Sequence, residues 1–73
     1  MLSTLITLYC VRYDPWRCSC DPESIWRIVQ AAGGSCHAGA VQGSMDFYVP
    51  ESVISMVLLL DSGLKIIESN SYI

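Results

Sequence analysis

Residues 48–67 read YVPESVISMVLLLDSGLKII and hold the densest apolar run of the chain. Pro50 stands near the start of this stretch and Gly63 near its end. Taken alone, the run at 53–60 fits either a buried strand or a helix, because periodicity does not separate the two over so few residues. Pro50 at a helix start and the turn signal after the run favour the helix. The stretch is therefore predicted to contain the end of one strand, a helix and the start of a last strand.

A strand and a helix are predicted ahead of this stretch. Residues 3–13 alternate as a strand with two largely apolar faces, which is typical of a central strand. Asp21 is predicted to cap a helix whose first residue is Pro22. An apolar stripe at helical spacing follows it. The helix is expected to end at Gly33-Gly34, with one of these glycines in the left-handed conformation.

The middle of the chain is predicted to form a β-hairpin with arms at 35–42 and 45–49 and a tight turn at 42–44. A last strand at 64–68 then either continues or frays toward residue 73. The element order is βαββαβ, which predicts an α+β, ferredoxin-like fold with a four-stranded antiparallel sheet and two helices on one face. With 73 residues, the chain is expected to form a single domain.

The composition indicates a protein partner. Hydrophobic residues make up 52% of the chain and charged residues 15%, against typical values of about 45–50% and about 25%. Because a chain of this size buries only about 60% of its unfolded surface, some apolar surface is expected to meet another subunit or a partner. The net charge is −3 and the four basic residues are scattered, which does not favour direct nucleic-acid binding. An acidic surface suits a basic partner.

The N-terminal residues do not resemble a targeting segment, because they lack a positive n-region and a small-residue cleavage site. Their apolar run is too short to span a bilayer. We therefore expect a cytoplasmic protein without a membrane interaction, in the host cytoplasm if the chain is encoded by a phage. In that compartment the four cysteines, Cys10, Cys18, Cys20 and Cys36, are expected to stay reduced, with disulfide pairing as the alternative.

Cysteine and histidine also raise the question of a zinc site. The candidate ligands are Cys18, Cys20, Cys36 and His37, all of residue types that bind structural zinc. Their spacing does not match paired C-x2–4-C motifs, and adjacent Cys36 and His37 would point to opposite faces of a strand. Neither a metal nor any other cofactor is therefore expected. No motif supports a cysteine nucleophile or a general base at His37, so the chain is predicted not to be an enzyme.

Aromatic and charged side chains are the candidate partner contacts. Tyr9 and Tyr48, with Tyr13 and Tyr72 as further candidates, are expected on the sheet face opposite the helices. Such aromatics stack on RNA bases in some sheets of this kind, but the acidic third strand here favours a protein interface. Tryptophan beside arginine is typical of interface anchors, although both tryptophans could equally cap the core. The predicted contacts are Tyr9, Trp16, Arg17, Trp26, Asp46, Tyr48, Glu51 and Leu58, with Asp61 as a further acidic candidate.

These features predict a small non-enzymatic protein-binding module. A small acidic α+β unit without catalytic residues looks like many phage proteins that sterically block a host defence complex, as anti-CRISPR proteins do, or a transcription complex; this is a likeness of type. One alternative is a self-associating, dimeric regulatory or small-ligand-binding domain, and another is a Cys/His zinc-binding protein. A small core cannot cover a helix that is apolar on nearly every side. Either Ile54, Leu58 or Leu59 is therefore expected to face a partner, or the segment is a strand after all.

Overall fold

The computed structural model describes residues 6–72 of the chain. Its elements are β1 (Ile6–Tyr13), α1 (Pro22–Ala31), β2 (Ser35–Ala38), β3 (Met45–Pro50), α2 (Glu51–Leu58) and β4 (Lys65–Tyr72). The strands form one antiparallel sheet in the order β2-β3-β1-β4. This arrangement confirms the predicted α+β, ferredoxin-like fold, and β1 occupies the central position that its two apolar faces predict.

The core lies between the two helices and one face of the sheet. Odd-numbered residues of β1 and β3 point toward the helices and form one cluster with the buried residues of α1 and α2. The fully buried members of this cluster are Val11, Ile25, Val29, Phe47, Val49 and Val57. Phe47 has the largest of these side chains, and burying a side chain of this size contributes roughly 1.5–3 kcal/mol to the free energy of unfolding.

Two tyrosines predicted for the opposite face belong to this core side. Tyr9 packs against the core cluster and Tyr13 is buried within it, so the predicted location of both was wrong. Their odd-numbered positions give them the same direction as Val11, since side chains alternate along a strand. Tyr48 does lie on the open face, between inward-pointing Phe47 and Val49. The side chain of Tyr72 falls outside the described part of the structure.

Helix α1 has the predicted boundaries. The Asp21 carboxylate accepts a hydrogen bond from the Glu23 N–H at 3.1 Å, and Pro22 fits the first turn because its missing N–H needs no partner. At the other end Gly33 has a φ of 89°. The Gly33 and Gly34 N–H groups bond to the carbonyls of Gln30 and Val29, the pattern of a Schellman cap.

Helix α2 resolves the ambiguity of the central run. It begins directly after Pro50, which caps it without a side-chain bond, and it ends at Leu58, two residues before the end of the apolar run at 53–60. Of the three residues expected to face outward, Ile54 and Leu58 pack partly against the core. Leu59 follows the helix and is 86% exposed.

The hairpin and the outer strands differ from the prediction in extent. The first arm ends at Ala38, so the connection at 39–44 is longer than predicted. The predicted turn lies within it, closed by the Ser44 N–H bonded to the Val41 carbonyl at 2.9 Å. This connection closes with the Gly39 N–H bonded to the Ser44 carbonyl at 2.9 Å. Strand β4 continues to Tyr72, held by pairing with β1. The predicted part of β1 before Ile6 lies outside the described residues.

Candidate protein-interaction surface

Three loops lie at one end of the sheet, because the chain reverses direction after every element and its first, third and fifth connections therefore share one end. They are the β1–α1 loop at 14–21, the β2–β3 loop at 39–44 and the α2–β4 loop at 59–64. A Cβ atom added to Gly63 would collide with the Arg17 carbonyl oxygen, and one added to Gly43 would lie 3.4 Å from Pro15. The three loops are therefore packed together, and we call this region the loop end.

Asp61 holds two of these loops together. Its Oδ2 atom accepts hydrogen bonds from the backbone N–H groups of Ser19 at 2.6 Å and Cys20 at 2.8 Å. Its Oδ1 atom accepts another from the Gly63 N–H at 2.8 Å. The bonds from Gly63, Cys20 and Ser19 lower the pKa of Asp61, because they favour the charged carboxylate. Both oxygens of this candidate partner contact are thus engaged inside the chain.

Large apolar side chains project from all three loops. Trp16 is 59% exposed, Val41 55%, Leu59 86% and Leu60 38%. We call these four residues the apolar tip. Single exposed hydrophobic residues are ordinary on protein surfaces, whereas a group of them at one end indicates an interaction surface.

A short turn presents Trp16 at this end. The Asp14 carbonyl accepts hydrogen bonds from the N–H groups of Arg17 and Cys18, both at 2.9 Å. Cys18 is buried in the core cluster and anchors the turn from beneath. The intervening Trp16 and Arg17 side chains are exposed. These two side chains point outward because the turn is closed by the Asp14 carbonyl and its last residue, Cys18, is buried.

The open face of the sheet contains polar groups that pair with each other. The Arg12 Nε–H donates to the Asp46 Oδ1 at 3.1 Å, and this hydrogen bond raises the pKa of Arg12. The rings of His37 and Tyr48 meet edge to face with centroids 5.2 Å apart. Cys10, which lies opposite Tyr48 in the register, is buried, and this burial raises the pKa of its thiol. Asp46, a predicted partner contact, already has an intramolecular partner.

The remaining predicted contacts, which are Tyr9, Trp26, Glu51 and Leu58, lie on the side of the sheet that the two helices cover. The Tyr9 hydroxyl donates to the Glu51 Oε1 at 3.4 Å, and Trp26 and Leu58 pack partly against the core. The eight predicted residues are therefore distributed over three surfaces, and only Trp16 and Arg17 lie together at the loop end.

Sequence reasoning missed Val41 and Leu60 and left Leu59 as one of three candidates. An apolar residue inside a glycine-bounded turn was the available signal for Val41. For Leu59 and Leu60 it was their place at the end of the apolar run, beyond the helix. Neither signal identifies a shared surface without the contacts between the loops.

The cysteines are distributed over different environments. All four carry free thiols; Cys10 and Cys18 are buried, whereas Cys20 and Cys36 are half-buried. Cys36 packs against the core while His37 contacts Tyr48 on the open face, so these neighbours point to opposite faces as predicted. In the part of the chain that the structure describes, no group of three or more His, Cys, Asp or Glu residues could hold a metal ion. The zinc candidates are not brought together.

Neither α1 nor α2, the two helices of residues 6–72, is long and apolar enough to cross a membrane. Comparison of the chain with protein-family models, curated proteins and solved structures finds no match.

Proposed function

We propose that this chain is a protein-binding module that contacts its partner through the apolar tip. One observation carries the proposal: Leu59 and Trp16 are 86% and 59% exposed on neighbouring loops that the Asp61 carboxylate ties together. Exposing apolar side chains of this size costs about 1.5–3 kcal/mol each relative to burial. The fold does not need them at the surface, since its core is built from other residues.

The bonded loops favour binding because they are already ordered. Ordering a flexible loop on association consumes part of the interaction free energy, and a preformed loop avoids that loss. The bonds from Ser19 and Cys20 to Asp61 hold the loop that presents Trp16. Tryptophan and arginine are the residue types most enriched among binding hot spots, and Arg17 stands beside Trp16.

The complementary partner surface is an apolar pocket with a carboxylate near its rim. Such a pocket would bury Trp16 or Leu59, and the carboxylate would face the exposed guanidinium of Arg17. Self-association through the same surface is less favourable. In a two-fold dimer the same patch faces itself, which would bring two Arg17 charges into one interface. The partner is therefore proposed to be another protein.

A narrower hypothesis names the partner as a host defence or transcription complex, blocked by a phage-encoded, anti-CRISPR-like inhibitor. It rests on the small size, acidity and missing catalytic motifs of the chain. The same crosslinking experiment tests it, because the identity of the captured protein decides whether the partner belongs to such a complex.

The test is site-specific photo-crosslinking in the source cell. A benzoylphenylalanine is placed at position 16 or 59, or at the exposed position 52 at the start of α2 as a control, away from the loop end. We expect the same protein adduct from positions 16 and 59 and none from position 52. Adducts from all three positions, or from none, would overturn the proposal.

A matched pair of variants then measures the affinity for the captured protein. Leu59→Ser should weaken binding at least about tenfold, since a hot-spot side chain contributes about 2 kcal/mol or more. Met56→Ser changes a similarly exposed residue, at 54%, in the groove between the helices, and should bind as wild type. Equal affinities for wild type and Leu59→Ser would contradict the proposal, as would a dimer in light scattering that Leu59→Ser dissociates.

A further inference from the structure

The outer edge of the sheet at β2 has a defined hydrogen-bonding pattern. In an antiparallel ladder, pairs of residues that exchange hydrogen bonds alternate with pairs that do not. The bond from the Gly39 N–H to the Ser44 carbonyl makes that pair a bonded one. In the observed register, the pairs of Ala38 with Met45 and of Cys36 with Phe47 are then non-bonded. The N–H and C=O groups of Cys36 and Ala38 therefore point away from β3.

These backbone groups are available at the edge. Strand β2 is the first strand in the sheet order, and among residues 6–72 no further strand pairs with its outer side. An extended segment placed there could form the same ladder bonds that β3 forms on the inner side. The edge thus offers donors and acceptors at alternate residues, as strand addition requires.

A pocket lies beside this edge on the helix side. It has a volume of about 340 Å³ and is lined by Pro22, Glu23, Trp26, Cys36 and Met45. Cys36 connects the two features, because its side chain lines the pocket while its backbone faces outward. Residues directly opposite each other in a ladder send their side chains to the same face. A residue added opposite Cys36 would therefore direct its side chain toward the pocket.

We propose that this edge and pocket bind an extended peptide segment of another protein, which adds a fifth strand beside β2 and inserts one large apolar side chain next to Trp26. This site lies on a different surface from the apolar tip and does not depend on it. A basic residue two positions from the apolar one would share its face and meet Glu23 at the rim, in competition with the exposed pair that Glu23 forms with Arg27 at 3.3 Å. The chain's net charge of −3 favours the same kind of segment.

A second copy of the chain fits this site poorly. Two β2 strands paired around a two-fold axis at His37 would place Ala38 of one copy opposite Cys36 of the other. A methyl group would leave most of the 340 Å³ pocket empty, without the contacts that an apolar anchor needs. The other edge of the described sheet, β4, carries a bulge and begins with Lys65, two features that oppose strand addition. The β2 edge is the better acceptor of a foreign strand.

The probe is a fluorescent synthetic peptide of sequence Thr-Lys-Thr-Phe-Thr-Lys-Thr, in which phenylalanine and both lysines share one face of a strand. We expect saturable binding by fluorescence anisotropy, with amide shift changes in NMR spectra at β2 and at the indole of Trp26. Replacing the phenylalanine by alanine should weaken binding at least about tenfold, as expected for an anchoring side chain. A peptide with N-methylated backbone should bind equally poorly, because it cannot form ladder bonds.

On the protein side, Ala38→Pro removes an outward N–H without breaking a bond to β3, a position where edge strands tolerate proline. This variant should keep its Tm and lose the peptide, whereas Leu59→Ser should bind it as wild type does. The proposal is overturned if the peptide fails to bind at about 1 mM, the weak end of measurable affinity. It is equally overturned if N-methylation has no effect, or if the shift changes lie away from β2. A dimer that Ala38→Pro dissociates would assign the edge to a second copy instead.

Discussion

The carboxylate of Asp61 accepts a hydrogen bond from the backbone N–H of Cys20, which lies 41 residues earlier in the chain, at 2.8 Å. The same oxygen accepts a second bond from the neighbouring Ser19 N–H. Asp61, an acidic residue in a turn, therefore connects the β1–α1 and α2–β4 loops through its hydrogen bonds, and we call this connection the joint. Trp16, Leu59 and Leu60, three of the four residues of the apolar tip, lie on the two loops that Asp61 connects.

Replacing Asp61 with alanine should loosen the loop end. All three N–H groups bonded by the carboxylate lose their acceptor, so we expect a lower Tm and faster amide exchange at Ser19 and Cys20. Glu51→Ala is the control, because that exposed carboxylate has one long hydrogen bond, from Tyr9 at 3.4 Å. Thermal unfolding and hydrogen-exchange NMR measure both effects. Unchanged exchange at Ser19 and Cys20 would contradict the role of the joint.

The stabilisation by Asp61 should depend on pH in a defined direction. Hydrogen bonds from Gly63, Cys20 and Ser19 lower its pKa in the folded state. A lowered pKa means that the stabilisation is fully present above the ordinary aspartate value of about 3.9 and is lost as the pH falls below it. The Tm difference between wild type and Asp61→Ala should therefore shrink in acid. A difference that persists undiminished at about pH 2 would contradict this assignment.

Leu58 and Leu59 should respond differently to the same substitution. Leu58→Asn replaces a side chain that packs partly against the core, so we expect a loss of about 1–3 kcal/mol in the free energy of unfolding. Leu59→Asn changes a residue that is 86% exposed and should stay within about 0.5 kcal/mol of wild type. Urea unfolding of both variants measures these values, and equal losses would show that Leu59 is also a core residue.

The two glycines after α1 should be sensitive for different reasons. Gly33 has open space around its Cα but a φ of 89°, so alanine there should cost about 1–2 kcal/mol through backbone strain. An alanine Cβ at position 34 would overlap the Tyr48 carbonyl oxygen and lie 2.6 Å from a Val29 methyl group. Such overpacking costs about 1–3 kcal/mol, occasionally more. Chemical denaturation measures the loss of stability in each variant. Crystal structures then distinguish the two causes, since only Gly34→Ala should displace β3 from α1.

The thiols should differ in reactivity under native conditions. Burial raises the pKa of all four thiols, so access to the reagent decides their order. Cys10 and Cys18 are buried, whereas Cys20 and Cys36 are half-buried and should react with iodoacetamide first. Mass spectrometry of a labelling time course gives the order, and labelling in denaturant is the control in which all four sites should react alike. Fast native labelling of Cys18 would contradict its burial in the core.

Local signals were sufficient for most of the elements. The Asp21-Pro22 start and the Gly33-Gly34 end of α1 act within a few residues of each other, and the structure confirms both. The face of β1 that meets the helices was not predictable in the same way. Both of its faces are largely apolar, so alternation alone could not decide whether Tyr9 points to the core or to the open face.

The candidate site was less predictable than the fold. Trp16 and Arg17 could be selected by residue type, but Val41 carries no signal that connects it to them. Asp46 and Asp61 looked like free charges because their partners, Arg12 and the Ser19–Cys20 backbone, are more than thirty residues away in sequence.

By itself, the amino-acid sequence determined the number, type and order of the elements, because caps, turns and hydrophobic periodicity are properties of neighbouring residues. Tertiary structure alone decided which apolar residues of the run at 53–60 are core and which are surface. Helix α2 stops at Leu58, and the chain then turns so that Asp61 can reach the backbone of Ser19 and Cys20. That long-range bond, which no local pattern encodes, joins the loop of the exposed Leu59 to the loop of Trp16.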